Sequence, residues 1–437
     1  FIINLTRTFI LSMLIAAIPN ILPAQSPYVK QIFTANSGKF EFAPPYSGVV
    51  TLQSNNPLTG QGSIVHNVGT QSAQDLCKNG TLMYIAAQDS LVAINPDTYE
   101  RVAAIPDSGL NKLLLYGNKL IISKQYPITL HFAEIRNASD LSLLASVEGI
   151  PGDCGGMAMV NDTLYVAVNG GWMGTEGKIA VIETTGWTLS RIINLGPEAV
   201  GVMNMYPFAG KIITVNKSPY TTPDTGSLSV YDPATGTFSN HLLPGNVSIG
   251  AGIHGNLLYF GYKYGIGTFN LETLQVQDTT LIADPGSALF RYITSATLDT
   301  LNDKIFVNVG DYFSPGYCLV HALNGDSLTS WPTGISSDAI LVDYRVAPAG
   351  FSQDPHPSLW AVSPNPVNDL LTVENKGKSG ITRITIMDMT GRVLVTNNFP
   401  FSSNSITLQT AHLPAGMLTI MATFSDGTQR LLKIIKL

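Results

Sequence analysis

From about Tyr28 to Arg345 the chain repeats one unit, in which a polar turn ending in Asn or Gly leads into a short apolar run. The runs are Thr81–Ala86, Asn118–Ser123, Thr163–Val168, Lys211–Asn216, Leu257–Gly261 and Lys304–Asn308. With Tyr84, Ile121, Tyr165, Ile212, Tyr259 and Phe306 as equivalent positions, the residue numbers give spacings of 37, 44, 47, 47 and 47. That period is the length of a four-stranded propeller blade. After each run comes a second strand and a turn of Asn, Asp, Pro, Gly or Thr chemistry: Ser90–Ile94 into Asn95-Pro96-Asp97-Thr98, and Ser227–Tyr231 into Asp232-Pro233-Ala234-Thr235. Lys178–Ile182 and Gly267–Phe269 behave the same way. Strand, turn and strand predict a hairpin in every unit.

Six units are complete and a seventh is split between the ends of the repeat region. Asp338–Tyr344 reads as an innermost strand with nothing after it, while Gln31–Thr34, Gly48–Leu52 and Ser63–His66 read as three strands lacking an inner one. Joining them closes the ring and removes its exposed edges, so the expectation is a seven-bladed β-propeller over 28–346. A Pro/Gly-rich linker over 347–360 follows. Beyond it, over 361–437, alternating segments such as Leu370–Val373, Ile384–Ile386, Val393–Val395 and Leu418–Ile420 predict a small Ig-like β-sandwich. The fold class is all-β.

Composition agrees with many short strands and tight turns. Gly (40) and Pro (26) are abundant, hydrophobic residues make up 45% and charged residues only 12%. The net charge of −6 and the lack of a Lys/Arg block exclude a phosphate-tracking surface, so nucleic acid is not expected as a partner. Cys77, Cys154 and Cys318 lie far apart without CxxC spacing; buried free thiols are the expectation and one long-range disulfide the alternative. At the N-terminus, Arg7 and the apolar run Phe9–Ile18 precede Pro19–Gln25, which predicts a signal peptide over 1–24. No later apolar run is long enough for a transmembrane anchor.

Four short motifs punctuate the last segment: Ser363-Pro364-Asn365-Pro366, Asp388-Met389-Thr390-Gly391-Arg392-Val393-Leu394, Leu413-Pro414-Ala415-Gly416-Met417-Leu418 and Lys433-Ile434-Ile435-Lys436-Leu437. The series resembles the type A C-terminal sorting domain of the type IX secretion system of Bacteroidota, with Met417 where that family usually has Tyr. The positions that carry the resemblance are Pro364, Asn365, Pro366, Gly391, Gly416, Lys433 and Lys436. It implies passage through the periplasm to the cell surface or the medium, with the secretion machinery as a partner. The repeats, with hairpins such as Val230-Tyr231-Asp232-Pro233-Ala234-Thr235 and Ala93-Ile94-Asn95-Pro96-Asp97-Thr98, resemble YncE-like propellers among Bacteroidota surface proteins. That resemblance implies capture of a scavenged nutrient such as a corrinoid.

In a propeller the crossings between blades and the loops joining second and third strands share one face. Those loops carry Phe40, Phe42, Tyr46, Tyr126, Trp172, Tyr220, Tyr262, Tyr264, Tyr312 and Phe313, flat apolar surfaces suited to a ring-shaped or sugar-like ligand or a protein loop. Packing between blades is the competing explanation for any one of them. Asp107, Asp153, Glu198 and Asp284 on the crossings form a candidate carboxylate ring, or serve as turn formers. The seven histidines show no metal-ligand spacing, no nucleophile elbow, P-loop or zincin motif occurs, and no cofactor or metal is expected. Cys154 is a poor nucleophile candidate, since Asp153 beside it raises its pKa. Three functions follow: a surface propeller binding a small molecule or a surface protein; a propeller lyase or hydrolase using His254 with Glu198 or Asp284; and an adhesive or structural surface protein. The first is the leading expectation.

Overall fold

The computed structural model describes residues 27–41, 46–346, 360–377, 379–388, 392–425 and 429–437. The segment expected as a signal peptide, 1–24, all but the last residue of the expected linker over 347–360, Phe42 and Gly391 lie outside the described residues. The described residues divide into two compact units, Val29–Arg345 and a C-terminal unit ending at Leu437.

Seven four-stranded antiparallel sheets build the first unit. In sheets two to seven the innermost strands are Ala73–Lys78, Leu110–Tyr116, Cys154–Val160, Val202–Phe208, Val247–His254 and Tyr292–Asp299, and three further strands follow each in chain order. The first sheet takes its innermost strand, Ser337–Val346, from the end of the repeat region and sets it beside Pro27–Asn36, Thr51–Asn55 and Gly62–Asn67. Second strands are buried on both faces, as in Met83–Ala87, so they are continuously apolar rather than alternating. Outermost strands such as Gln275–Ile282 alternate between exposed and covered. The turns have a local cause: Asn95 Oδ1 accepts from the Asp97 and Thr98 amides at 2.8 and 3.2 Å, Asn270 Oδ1 likewise accepts from the Glu272 and Thr273 amides, and Asp232 Oδ1 accepts from the Ala234 amide.

Apolar clusters join each sheet to the next. Tyr84 and Leu91 meet Leu120 and Ile122 between sheets two and three, and Tyr165 and Ile179 meet Ile212 and Tyr231 between four and five. The last cluster sets Phe306, Cys318 and Trp331 of sheet seven against Ile32 and Val342 of sheet one. The sheets therefore form a closed ring, and the unit is a propeller. All three cysteines are free thiols, with Cys154 and Cys318 buried and their ionisation pushed up by burial.

In the C-terminal unit a three-stranded sheet (Trp360–Ser363, Leu370–Asn375, Ser405–Gln409) faces a four-stranded one (Val393–Ser403, Ile381–Met387, Gly416–Phe424, Gln429–Lys436). Leu371, Val373 and Leu408 of the first meet Ile384, Ile386, Leu418, Ile420 and Ile434 of the second in one core. Trp360, expected as the end of the linker, belongs to that core, with its ring edge-on to Phe424 at 6.3 Å. The opening and closing motifs are bonded to each other. Asn365 Nδ2 donates to Lys433 O at 3.0 Å, the Ile435 amide donates to Asn365 Oδ1 at 2.8 Å, and Val367 pairs in parallel with Lys436. Pro364 and Pro366 flank that clasp, and Gly416 opens the strand that pairs with the last one.

Candidate functional site

Innermost strands of sheets two to seven share a feature with no residue signature. Each loses register with its neighbour close to its first residues, between Ala73 and Asp75, Leu110 and Leu113, Cys154 and Met157, Val202 and Asn204, Val247 and Gly250, and Ile293 and Ser295. A bulge frees a residue from the ladder and re-aims its side chain. Gln74, Lys112, Met203, Ile249 and Thr294, all within these stretches, line one chamber of about 680 Å³ on the axis of the ring. Six of the seven sheets contribute inner-strand residues to its wall, Asp338 and Ala339 representing the first, and the fourth contributes Asn169, Gly171 and Trp172 from the loop after its second strand.

The mouth of the chamber is the face that carries the loops between second and third strands. Of the loop aromatics, Trp172, Tyr264 and Tyr312 line it. Trp172 stands in a short turn, Gly171–Met173, flanked by Gly170 and Gly174 at φ 74° and 65°. A side chain on Gly171 would strike Asp153 Oδ2 at 2.3 Å, so the Gly-Gly pair is what lets this turn hold the indole out, 72% exposed. Tyr220, 70% exposed, meets it edge-on at 5.3 Å. Tyr126 is exposed beside Asp153, whose Oδ1 accepts from the Tyr126 amide at 2.8 Å. Phe40, Tyr46 and Phe313 are not part of the chamber wall: Phe40 and Phe313 are exposed and Tyr46 is half-buried. Tyr262 departs from expectation. It is buried, stacked on Phe260 at 5.5 Å, with its hydroxyl donating to Pro244 O, because the period-2 alternation turns it into the sheet interface.

Tyr206 and Tyr292 join the aromatic wall from inner strands, where loop-based reasoning did not look. Gly250 makes room for Tyr206, since a Cβ there would lie 2.4 Å from the phenolic oxygen. Tyr292 stacks with Tyr312 at 6.5 Å. Burial, then Asp338 and Tyr292, push the Tyr312 hydroxyl up to about 12.

Four charged side chains line the chamber: Asp75, Asp338, Lys112 and Lys217. Burial raises Asp75, against the pull of Lys112 and the Leu113 amide. It lowers Lys217. Asp338 is pushed up to about 6 by burial, against the Ser37 and Ser336 hydroxyls and Lys112. The Asp338 contribution to stability is therefore complete below the unfolded value of about 3.9 and is lost as pH rises through about 6. Asp338→Asn keeps an acceptor for both serines but cannot ionise. Its melting temperature is expected to exceed that of the parent above pH 6 and to lack the parent's decline between about pH 4 and 6. Thermal denaturation across that range measures it, and parallel profiles would count against it.

The proposed acid–base partners do not meet. His254 ends the strand Val247–His254, away from the mouth, with Nε2 3.6 Å from Asp303 Oδ1. Glu198 and Asp284 lie on crossings at the mouth, on the order of 20 Å away along such a strand. Burial acts to raise Asp284, but its bonds with Ser287 and the Gly286 amide outweigh that and lower it, as in a turn former. Asp107 is held with Glu134 between Lys124 and Arg136, a buried quartet rather than an open carboxylate. Among the described residues no group of three or more His, Cys, Asp or Glu is placed to hold a metal ion.

Residues 361–436 match the family described as the secretion system C-terminal sorting domain. The C-terminal unit is a type IX sorting domain. It marks the protein for export to the cell surface or the medium and for handling by the type IX machinery. Among the described residues, no helix is long and apolar enough to cross a membrane. No curated protein matches the chain. Among solved structures, it is similar to the extracellular domain of BT4673 from B. thetaiotaomicron, with 10% identity and a TM-score of 0.52, over 94% of this chain and 60% of that one. The WD40 domain of Neurospora crassa Pan2 matches at 12% identity and a TM-score of 0.44, over 59% and 78%. PorZ, an essential surface component of the type-IX secretion system of Porphyromonas gingivalis, matches at 10% and 0.38, over 89% and 73%. At these identities the likeness concerns the fold alone.

Proposed function

We propose that this exported protein is a seven-bladed, YncE-like surface propeller that binds a small ligand in its axial chamber. The observation that carries the reading is the set of bulged inner strands in sheets two, three, five, six and seven, which aim side chains into one space. Five separate departures from ladder pairing at the same end of five strands serve a common cavity. Its volume lies within the range of small-molecule sites, roughly 300–1,000 Å³. Aromatic groups at the mouth and polar groups below fit a ligand with flat apolar faces and a polar rim, such as a scavenged nutrient; a corrinoid is the candidate that the YncE-like resemblance adds. A protein loop seated on the rim is a second reading, favoured by Leu289, Phe290 and Phe313, each more than 70% exposed.

A thermal-shift screen of the full chain against cyanocobalamin, haem, oligosaccharides and divalent metals tests the proposal. A ligand at about 100 times its Kd adds about 2.7 kcal/mol to the folded state. The shift is expected to disappear in Met203→Trp, which fills the chamber from a half-buried position. A shift that survives that substitution would place the ligand elsewhere, and none with any probe would favour an adhesive role.

A further inference from the structure

The polar wall of the chamber narrows the ligand class. Four asparagines contribute to it, and each is anchored through one end of its amide. Asn111 Nδ2 donates to Cys154 O at 2.6 Å and Asn246 Nδ2 to Pro223 O at 2.9 Å. Asn169 Oδ1 accepts from the Gly171 amide at 2.9 Å and Asn204 Oδ1 from the Gly250 amide at 2.8 Å. The opposite ends, two carbonyl oxygens and two NH2 groups, form no hydrogen bond with the described residues and are left to the chamber. Anchoring fixes which end is a donor and which an acceptor, so both kinds are presented with little ordering left to do on binding.

Charge is balanced in the same space. Two aspartates, Asp75 and Asp338, stand against two lysines, Lys112 and Lys217, and no other charged side chain lines the chamber among the described residues. A ligand of either sign would meet like charge as well as opposite charge in a partly desolvated site, where mismatched charge is costly. A hydroxyl group suits the mixture, because it donates and accepts at once. Above these groups, the exposed Trp172 with Tyr220 edge-on, and the Tyr292–Tyr312 stack, offer flat apolar faces. An apolar platform beside alternating neutral donors and acceptors is the complement of a pyranose ring, with its C–H face on the aromatic and its hydroxyl edge on the amides. The wall comes from six sheets and from a loop of the remaining one, so it surrounds the space; a chain terminus fits such a well better than the middle of a polymer.

We infer that the chamber takes the terminus of a neutral oligosaccharide, seated on Trp172 and hydrogen-bonded by the anchored asparagines. This inference rests on the chamber being a ligand site at all, and its test separates the two. The full chain is titrated with neutral gluco-, manno-, galacto- and xylo-oligosaccharides of increasing length, with polygalacturonate and chitosan fragments, and with cyanocobalamin, while tryptophan emission is followed. Trp331 and Trp360 are buried, and the half-buried Trp187 lies in a turn that does not line the chamber, so Trp172, the one tryptophan on the chamber wall among the described residues, should dominate a binding response. At least one neutral series is expected to shift the emission, with affinity that stops rising after a few sugar units and changes little with added salt, unlike charge-driven binding. Trp172→Ala should weaken it about tenfold or more, as loss of a central aromatic anchor does, and Trp172→Tyr should restore most of it. Because Trp172 is exposed, an unchanged melting temperature verifies that the alanine variant is folded. Response only to charged fragments or to cyanocobalamin, lost in Met203→Trp, overturns the neutral-glycan assignment and leaves the chamber a ligand site. No response to any probe overturns both.

Discussion

Asp343→Ala is expected to cost about 3–5 kcal/mol, the penalty of leaving a buried charge without its partner. Asp343 is fully buried on the closing strand. Its Oδ1 meets Lys78 Nζ at 2.9 Å and Arg345 Nε at 2.7 Å, and its Oδ2 accepts from Gln31 at 2.9 Å. Arg345 and Lys30 both reach Asp97 in the second sheet. One carboxylate thus joins the last strand of the ring, the first strand and the neighbouring sheet. Removing it strands Lys78, whose side chain is only 8% exposed. Stabilities of 5–15 kcal/mol are typical, so a loss of that size takes a large share of the total. Chemical denaturation should show the midpoint falling sharply. The pH dependence is a second readout. Burial works to raise the Asp343 carboxyl, but Arg345, Gln31 and Lys78 outweigh it and hold it below its usual range. Its contribution is complete above about pH 4 and is lost as pH falls through the folded value. The gap between parent and variant should therefore close in acid. A gap that stayed constant down to low pH would mean that the carboxylate charge is not what holds the seam.

Strand order was legible in the sequence because each unit pairs a doubly buried strand with an Asn- or Asp-led turn. Asn95, Asp232 and Asn270 announce hairpins through bonds that span only two or three residues. The split unit could be read for the same reason, since Asp338–Tyr344 has the apolar pattern of an inner strand without a hairpin behind it. The site was only half legible. Exposed loop aromatics such as Trp172 stand beside Gly-Gly, a local signal, whereas Tyr262 followed a glycine just as closely and turned inward. Direction in a strand depends on register, and one residue of slip reverses it. The bulges are the extreme case: they set Gln74, Lys112 and Thr294 into the chamber, yet a bulge leaves no fixed residue type behind. Asp75 and Asp338 were visible as charges near the start of apolar strands, and that position was the missed clue. His254 failed as a partner of Glu198 and Asp284 for a topological reason, since it closes the hairpin end of its strand while they sit on the crossings.

Removing Lys433–Leu437 is expected to stop delivery to the cell surface and leave the propeller folded. The five residues supply Ile434, fully buried in the C-terminal core, and the partners of Met417, Leu418 and Thr419 in the adjacent strand. Loss of one such side chain alone costs about 2–5 kcal/mol through the cavity left behind. The truncation also takes away Lys433 O and the Ile435 amide, the two groups bonded to Asn365, and the Lys436 partner of Val367. The sorting domain would lose the strand that ties its first motif to its last. The propeller has its own closed set of apolar clusters and compact contacts, so its melting transition should persist. In a bacterium with the type IX system, the truncated chain should accumulate in the periplasm, as should a chain lacking residues 361–437 altogether. Appending 361–437 to an unrelated periplasmic protein should carry it outward. Surface delivery of the truncated chain at the parent level would show that the machinery reads something other than this closed domain.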